Sequence, residues 1–332
     1  MQFDFGFRFD IGNGVGSGHF FRCFSIAEKL IEKDTKIIFI VNNKEQIESH
    51  LNNKKIYYHV LKTSDELDQI HECKTLAKNI SKLIIDLPFK NQIYSESLKN
   101  DCKTIVFDDL GHKKIFSDLL FNGSIVNEFQ NYSIDSKSTK YFFGSEYMIL
   151  RDEFERIRDQ VKLNRIVKKI LLTFGGNPDP NLIRKILSYF FEKNFDVTIV
   201  LGPSYENSDQ FDDISDRSEH FDFICNEQNI SKLFSEQDLV ISASGLTAYE
   251  LACLGIPSIF IPLDEYQAKT SKEMEKLGFG INYGFWDDNL TKLDEIFSMI
   301  LDHSIREKMY KAGRSLVDGK GVQRALESIS KL

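Results

Sequence analysis

A histidine ends the densest glycine run of the chain. Gly12-Asn13-Gly14-Val15-Gly16-Ser17-Gly18-His19 follows a strand-like segment and leads into one of helical period. Glycines there let the backbone turn tightly and approach a ligand with no Cβ in the way. Two nucleotide-binding spacings fail on this loop. For G-x-G-x-x-G, counting from Gly12 puts Ser17 at the last glycine and counting from Gly14 puts His19 there, and no Gly-Lys-Ser/Thr follows to make a P-loop. The loop has room for a ligand and no dinucleotide code. Its imidazole, at the mouth of a helix, lies near the positive end of the helix dipole. That predicts a lowered pKa and a neutral ring near pH 7, able to take a proton as a general base. His50, His59, His71, His112, His220 and His303 have no such setting and read as surface residues.

Two further loops carry ligand chemistry. Gly175-Gly176-Asn177-Pro178-Asp179-Pro180-Asn181 joins a strand to a helix, and a Gly-Gly pair before an Asp/Asn cap suits an anion at a helix N-terminus. In Ser242-Ala243-Ser244-Gly245-Leu246-Thr247-Ala248-Tyr249-Glu250, a strand ends in hydroxyls and glycine and a helix starts at about Leu246. Hydroxyls and backbone N–H groups converge there as a diphosphate requires, and Glu250, one turn later, is placed for ribose hydroxyls. The strand ending at Ile261 leads into Pro262-Leu263-Asp264-Glu265-Tyr266-Gln267, a further polar loop.

The elements that position these loops alternate along the chain. Strands are expected at Phe3–Phe9, Lys36–Val41, Ile56–Val60, Lys82–Asp86 and Lys103–Asp108, with helical stretches between them at Phe20 to Ile31 and Ser64 to Ile80. The pattern restarts with strands at Lys168–Phe174, Asp196–Leu201, Phe221–Ile224, Asp238–Ser242 and Ser258–Ile261, and a helix at Leu182–Phe191. Strands separated by helix-length connections imply parallel sheets covered on both faces, as do unbroken apolar runs such as LIID and TIVFD. Phe3–Phe9 alternates instead. The reading is an α/β chain of two Rossmann-like, doubly wound domains facing a central cleft, 1–155 and 156–332, joined between about Leu150 and Ile166. A length of 332 residues suits two domains at about 150 each. Ligands of such sheets sit beyond the carboxyl ends of the strands.

Composition narrows the partners. Forty-two basic against fifty acidic residues give a net charge of -8, which disfavours nucleic acid and anionic lipid surfaces. No leader-like start and no apolar run near the ~20 residues of a membrane helix are present, so a cytoplasmic protein is expected. Cys23, Cys73, Cys102, Cys225 and Cys253 are odd in number and widely spaced, and read as buried small hydrophobes rather than disulfide or metal partners. No HxH, HExxH or carboxylate triplet offers a metal site. Phe20, Phe21 and Phe24 fit one buried helix face, and a monomer is compatible with the sequence.

The spacing of Arg8, Asp10, Gly16, Gly18, His19, Arg22 and Ala27 resembles the R-x-D…G-x-G-H-x-x-R…A opening of the UDP-2,4-diacetamido-2,4,6-trideoxy-β-L-altropyranose hydrolases of pseudaminic acid biosynthesis. The likeness continues through the strand Leu83–Asp86, the pair Asp108-Asp109 and the set Gly144, Tyr147, Arg151, Glu153 and Phe154. It then takes in Gly175, Gly176, Asp179, Pro180 and Asn181, and the SAS-G-x-T-x-x-E block. That last block also resembles the nucleotide-binding block of lipid II N-acetylglucosaminyltransferases, which have the GT-B fold. Two departures stand out. Leu87-Pro88-Phe89 follows Asp86 where the family has His-Tyr, and Tyr266-Gln267 stands where the family has Asn-Gln.

The resemblance implies a metal-independent, cofactor-free enzyme acting on a UDP-linked diacetamido-trideoxyhexose and releasing the free sugar and UDP. His19 would be the base. Backbone near Ile224 would meet the uracil, Glu250 the ribose, and Ser244, Gly245, Leu246 and Thr247 the diphosphate. Arg8, Asp10, Gly16, Gly18, Gly175, Gly176, Asn177, Tyr266 and Gln267 would surround the sugar and phosphates. Alternative readings are a GT-B glycosyltransferase passing the sugar to a glycan or lipid acceptor, and a non-catalytic nucleotide-sugar binding protein.

Overall fold

A computed structural model describes residues 1–12, 18–44, 47–48, 51, 54, 56–111, 113–134, 139–175, 179–202, 205, 208–215, 218–225, 227 and 229–332. The chain forms two compact units, Met1–Arg151 with Gly319–Leu332, and Asp152–Asp318.

The first unit is a parallel sheet. Its strands are β1 (Phe3–Phe9), β2 (Ile37–Val41), β3 (Ile56–Val60), β4 (Ile80–Asp86), β5 (Lys103–Phe107), β7 (Leu119–Asn122) and β9 (Lys140–Phe143), in the order β3-β2-β1-β4-β5-β7-β9. Strands β6 (Lys114–Ile115) and β8 (Ser133–Ile134) form a separate small pair. In β2, Ile37, Phe39 and Val41 join one core with Phe5, Phe7, Phe9 and Phe20, while Ile38 and Ile40 join the core on the other face with Leu83, Ile85 and Tyr94. Burial on both faces explains the unbroken apolar runs. Strand β1 is no exception despite its alternation, because Arg8 is itself fully buried between β2 and β4.

The second unit repeats the plan with β10 (Lys169–Thr173), β11 (Asp196–Leu201), β12 (Phe221–Cys225), β13 (Leu239–Ser242), β14 (Ser258–Phe260) and β15 (Ile281–Asn282), parallel and in the order β12-β11-β10-β13-β14-β15. In both units the strand order reverses beside the first strand, between β1 and β4 and between β10 and β13. Such a reversal opens a crevice at the carboxyl ends, where ligands of doubly wound sheets bind.

The expected division at 155/156 is corrected at both ends. The connector belongs to the second unit: Phe154 is fully buried beside Phe234, and the Arg158 guanidinium donates to the carbonyls of Cys253, Val317 and Arg314. The last helix, Gly321–Ile329, returns to the first unit, where Val322, Ala325 and Ile329 complete the Phe-rich core. Of the five cysteines, none is bonded to another; Cys23, Cys73 and Cys253 are buried, Cys102 and Cys225 only half-buried. Among the described residues no helix is long and apolar enough to cross a membrane.

Candidate active site

The carboxyl ends of β1, β4 and β5, three neighbouring strands, bring Asp10, Asp86 and Asp109 to one edge of the first sheet. The helix Gly18–Ile31 begins beside them, and His19 and Arg22, three residues apart, share one of its faces. His19 Nδ1 lies 2.8 Å from Asp86 Oδ1. Arg22 grips Asp86 with two donors at 2.6 Å and Asp109 with two at 2.6 and 2.8 Å. Its Nη2 also lies 3.1 Å from His19 Nδ1. Both Nη2 hydrogens are directed to carboxylates, so Nδ1 carries the proton and donates to Asp86. That tautomer leaves Nε2 as the acceptor, and Nε2 has no partner among the described residues.

The electrostatics correct the expected lowering of the His19 pKa. Burial does press it down, but the Asp86 carboxylate, by charge and by hydrogen bond, more than reverses this and holds the ring above its usual 6.5. Burial likewise pushes the Asp86 carboxyl up, and Arg22 and His19 overcome it and bring it down to about 2. The dyad is thus an anchored carboxylate beside an imidazole whose protonated form it favours.

The supporting shell is fixed from below. Asn91, buried, donates to the Phe107 carbonyl and to Asp108, and accepts from the Leu87 N–H, so it ties the turn after β4 to the end of β5. Asp108 also accepts from the Tyr132 hydroxyl and the Gly111 N–H and pairs with Lys113. In the turn between Leu87 and Asn91, Phe89 has φ +65° and 68% of its surface exposed. Arg8 does not have the placement expected of a ligand-binding residue. It is fully buried, and its two terminal nitrogens donate to Asp10, the Phe9 carbonyl, Gln69 and Tyr94, so it positions Asp10 from within the core. Gly18 opens the helix that carries His19; Gly16, with residues 13–17, lies outside the described residues.

In the second unit, Gly175 follows β10 and Gly245 follows β13, at the strand reversal. Gly175 has φ +82°, a conformation that favours glycine, and a Cβ added at either position would meet nothing within 4 Å among the described residues. Gly245 caps the helix Leu246–Leu254 without a side-chain bond, and Leu246 and Thr247 are half-buried in its first turn. Such an end suits an anion. Ser244 is corrected: it is buried and its hydroxyl donates to the Gln267 carbonyl, so it braces the loop instead of offering a free donor. Glu250 is buried rather than surface-exposed. Gln267, half-buried next to exposed Tyr266, accepts from the Leu263 N–H through Oε1. Ile224 is half-buried on the edge strand β12, and Gly176 and Asn177 lie outside the described residues. Among the described residues no three His, Cys, Asp or Glu side chains gather as a metal site.

Among solved structures, MurG of Acinetobacter baumannii matches with a TM-score of 0.72 at 12% identity, covering 99% of this chain and 100% of that one. UGT2 of Phytolacca americana matches at 0.67 and 11% over the full length of both. The fold is that of the GT-B glycosyltransferases. A model of the glycosyltransferase family 28 C-terminal domain matches residues 162–324 of this chain. An uncharacterized protein of Methanocaldococcus jannaschii is 28% identical over 266 residues, 76% of this chain and 54% of that protein, so the chain spans about half of that relative's length. The spore coat polysaccharide biosynthesis protein SpsG of Bacillus subtilis is 24% identical over 328 residues, 95% of this chain and 94% of SpsG. The pseudaminic acid cytidylyltransferase and UDP-2,4-diacetamido-2,4,6-trideoxy-beta-L-altropyranose hydrolase of Helicobacter pylori is 29% identical over 184 residues, 54% of this chain and 34% of that protein. The fold likeness covers nearly the whole chain, and the likeness to the hydrolase-bearing protein about half of it.

Asp86, Arg22 and Asp109 show no role in the sequence beyond their place in a motif. The available signal was a carboxylate closing one buried apolar strand, Asp86 on β4, and the Asp108-Asp109 pair just past another, β5.

Proposed function

We propose that this protein is an enzyme that cleaves the anomeric bond of a UDP-sugar, with His19 as general base toward an oxygen nucleophile. The observation that carries it is the His19–Asp86 contact of 2.8 Å, which fixes the tautomer and leaves Nε2 as a proton acceptor at a strand-end crevice. As the nucleophile closes on the anomeric carbon, its proton passes to Nε2 and Asp86 stabilises the imidazolium that results. The glycosyl–oxygen bond breaks and its electron pair leaves with UDP. The N-terminus of the helix Leu246–Leu254, with open Gly245 and Gly175, would take the diphosphate charge. Glu250 is assigned to the ribose, Thr247 to the diphosphate, and the Gln267 amide with Tyr266 and Asp10 to the sugar. Backbone near Ile224 is assigned to the base.

Water is the nucleophile in the first reading, with a diacetamido-trideoxyhexose released. Its support is the likeness to the bifunctional protein of Helicobacter pylori, whose name includes that hydrolase. Transfer to an acceptor hydroxyl is the second reading, favoured by the family 28 match and by the departures at Leu87-Pro88-Phe89 and Tyr266. Incubation with UDP-linked diacetamido-trideoxyhexoses and with UDP-N-acetylglucosamine, following UDP without an acceptor, separates them. Release without acceptor supports hydrolysis, and release only after a sugar or lipid acceptor is added supports transfer. Binding with no release under either condition contradicts both.

A further inference from the structure

We propose that Asp109 is a positioning residue that sets the basicity of His19 through Arg22. The consequence for catalysis rests on the function proposed above; the charge argument does not.

Asp109 follows β5 and is 38% exposed at its side chain, so no packing need explains it. It pairs with Arg22 through both carboxylate oxygens. Arg22 is thereby shared: one guanidinium serves two carboxylates, and its Nη2 stands 3.1 Å from His19 Nδ1. With a neutral imidazole, the cluster Asp86, Asp109, Arg22 and His19 has one negative charge in excess. It becomes neutral when His19 takes a proton. The cluster is complete only after the step the base must perform.

Without the Asp109 charge the balance reverses. Arg22 then answers Asp86 alone, the resting cluster is already neutral, and an imidazolium adds an uncompensated charge in a partly buried place. Other charged groups near the helix do not substitute. Arg8, on β1, is paired with Asp10 just past it, which also lies 3.7 Å from Lys90; Asp108 is paired with Lys113; and Arg324, from the terminal helix, donates to the Glu146 carbonyl. The Cys23 thiol lies beneath Asp86 at 3.9 Å and is held protonated by burial.

The test is an NMR titration of the His19 ring, assigned with His19→Gln, in wild type, Asp109→Asn and Asp109→Glu. The acid limb of kcat/KM for UDP release is followed in parallel. The Asn variant should titrate about one pH unit lower, equivalent to about tenfold weaker imidazolium stabilisation, and the acid limb should move with it. Asp109→Glu should restore both. Should Asp109→Asn fail to fold, Asp109→Ser removes the same charge with a smaller side chain. An unchanged His19 midpoint in the folded neutral variant overturns the proposal, even if KM or thermal stability changes. A shifted midpoint in a protein that releases no UDP from any donor upholds the charge coupling and rejects the proposed function.

Discussion

Asp86 and His19, 67 residues apart in sequence, are joined by a 2.8 Å contact between Oδ1 and Nδ1. The contact exists because β4 is laid directly against β1, so the end of one strand meets the helix that follows the other. Its two ends both stabilise the fold, with opposite dependence on pH. The Asp86 carboxyl is lowered from 3.8 to about 2, so its contribution is full above about 3.8 and is lost as pH falls through about 2, amounting to about 2 kcal/mol. His19 is raised above 6.5, so its contribution is full below that value and fades as pH rises through the folded pKa. Urea unfolding of wild type and Asp86→Asn across pH 2 to 8 checks this. The difference between them should shrink between pH 4 and 2, and a difference constant in pH would contradict the coupling.

Phe89 gives a second prediction. A bulky residue at φ +65° is strained by about 1 kcal/mol or more, and its exposed ring returns little burial. Phe89→Gly should raise stability by about 0.5–1 kcal/mol while Phe89→Ala, which keeps a Cβ, should not. Thermal melts of the two variants decide it; equal or lower stability for glycine would mean that the turn is not strained.

The returning C-terminal helix gives a third. Ile329 is 1% exposed within the core of the first unit, and Ile329→Ala should cost about 2–4 kcal/mol by denaturant unfolding. A loss below about 1 kcal/mol would indicate that this helix is not part of that core.

The alternation of strands and helices was legible because strands buried on both faces are unbroken apolar runs, as in Ile37–Val41. The candidate base was legible from its glycine setting. Its partner was not, because only strand order places Asp86 beside residue 19, and the dipole argument alone gave the wrong direction for the imidazole. Ser244 and Arg8 look like ligand groups in a motif, yet the Ser244 hydroxyl bonds Gln267 and the terminal nitrogens of Arg8 bond Asp10, Gln69 and Tyr94. Nor does an amphipathic pattern at Val322, Ala325 and Ile329 say which of two cores it completes.

The central claim is tested most directly by UDP release from a turned-over UDP-sugar by wild type and His19→Ala, alongside UDP binding by calorimetry. The account predicts a fall in turnover of about 10²- to 10⁴-fold with UDP affinity unchanged within about twofold. A folded His19→Ala protein that keeps near wild-type turnover would contradict it.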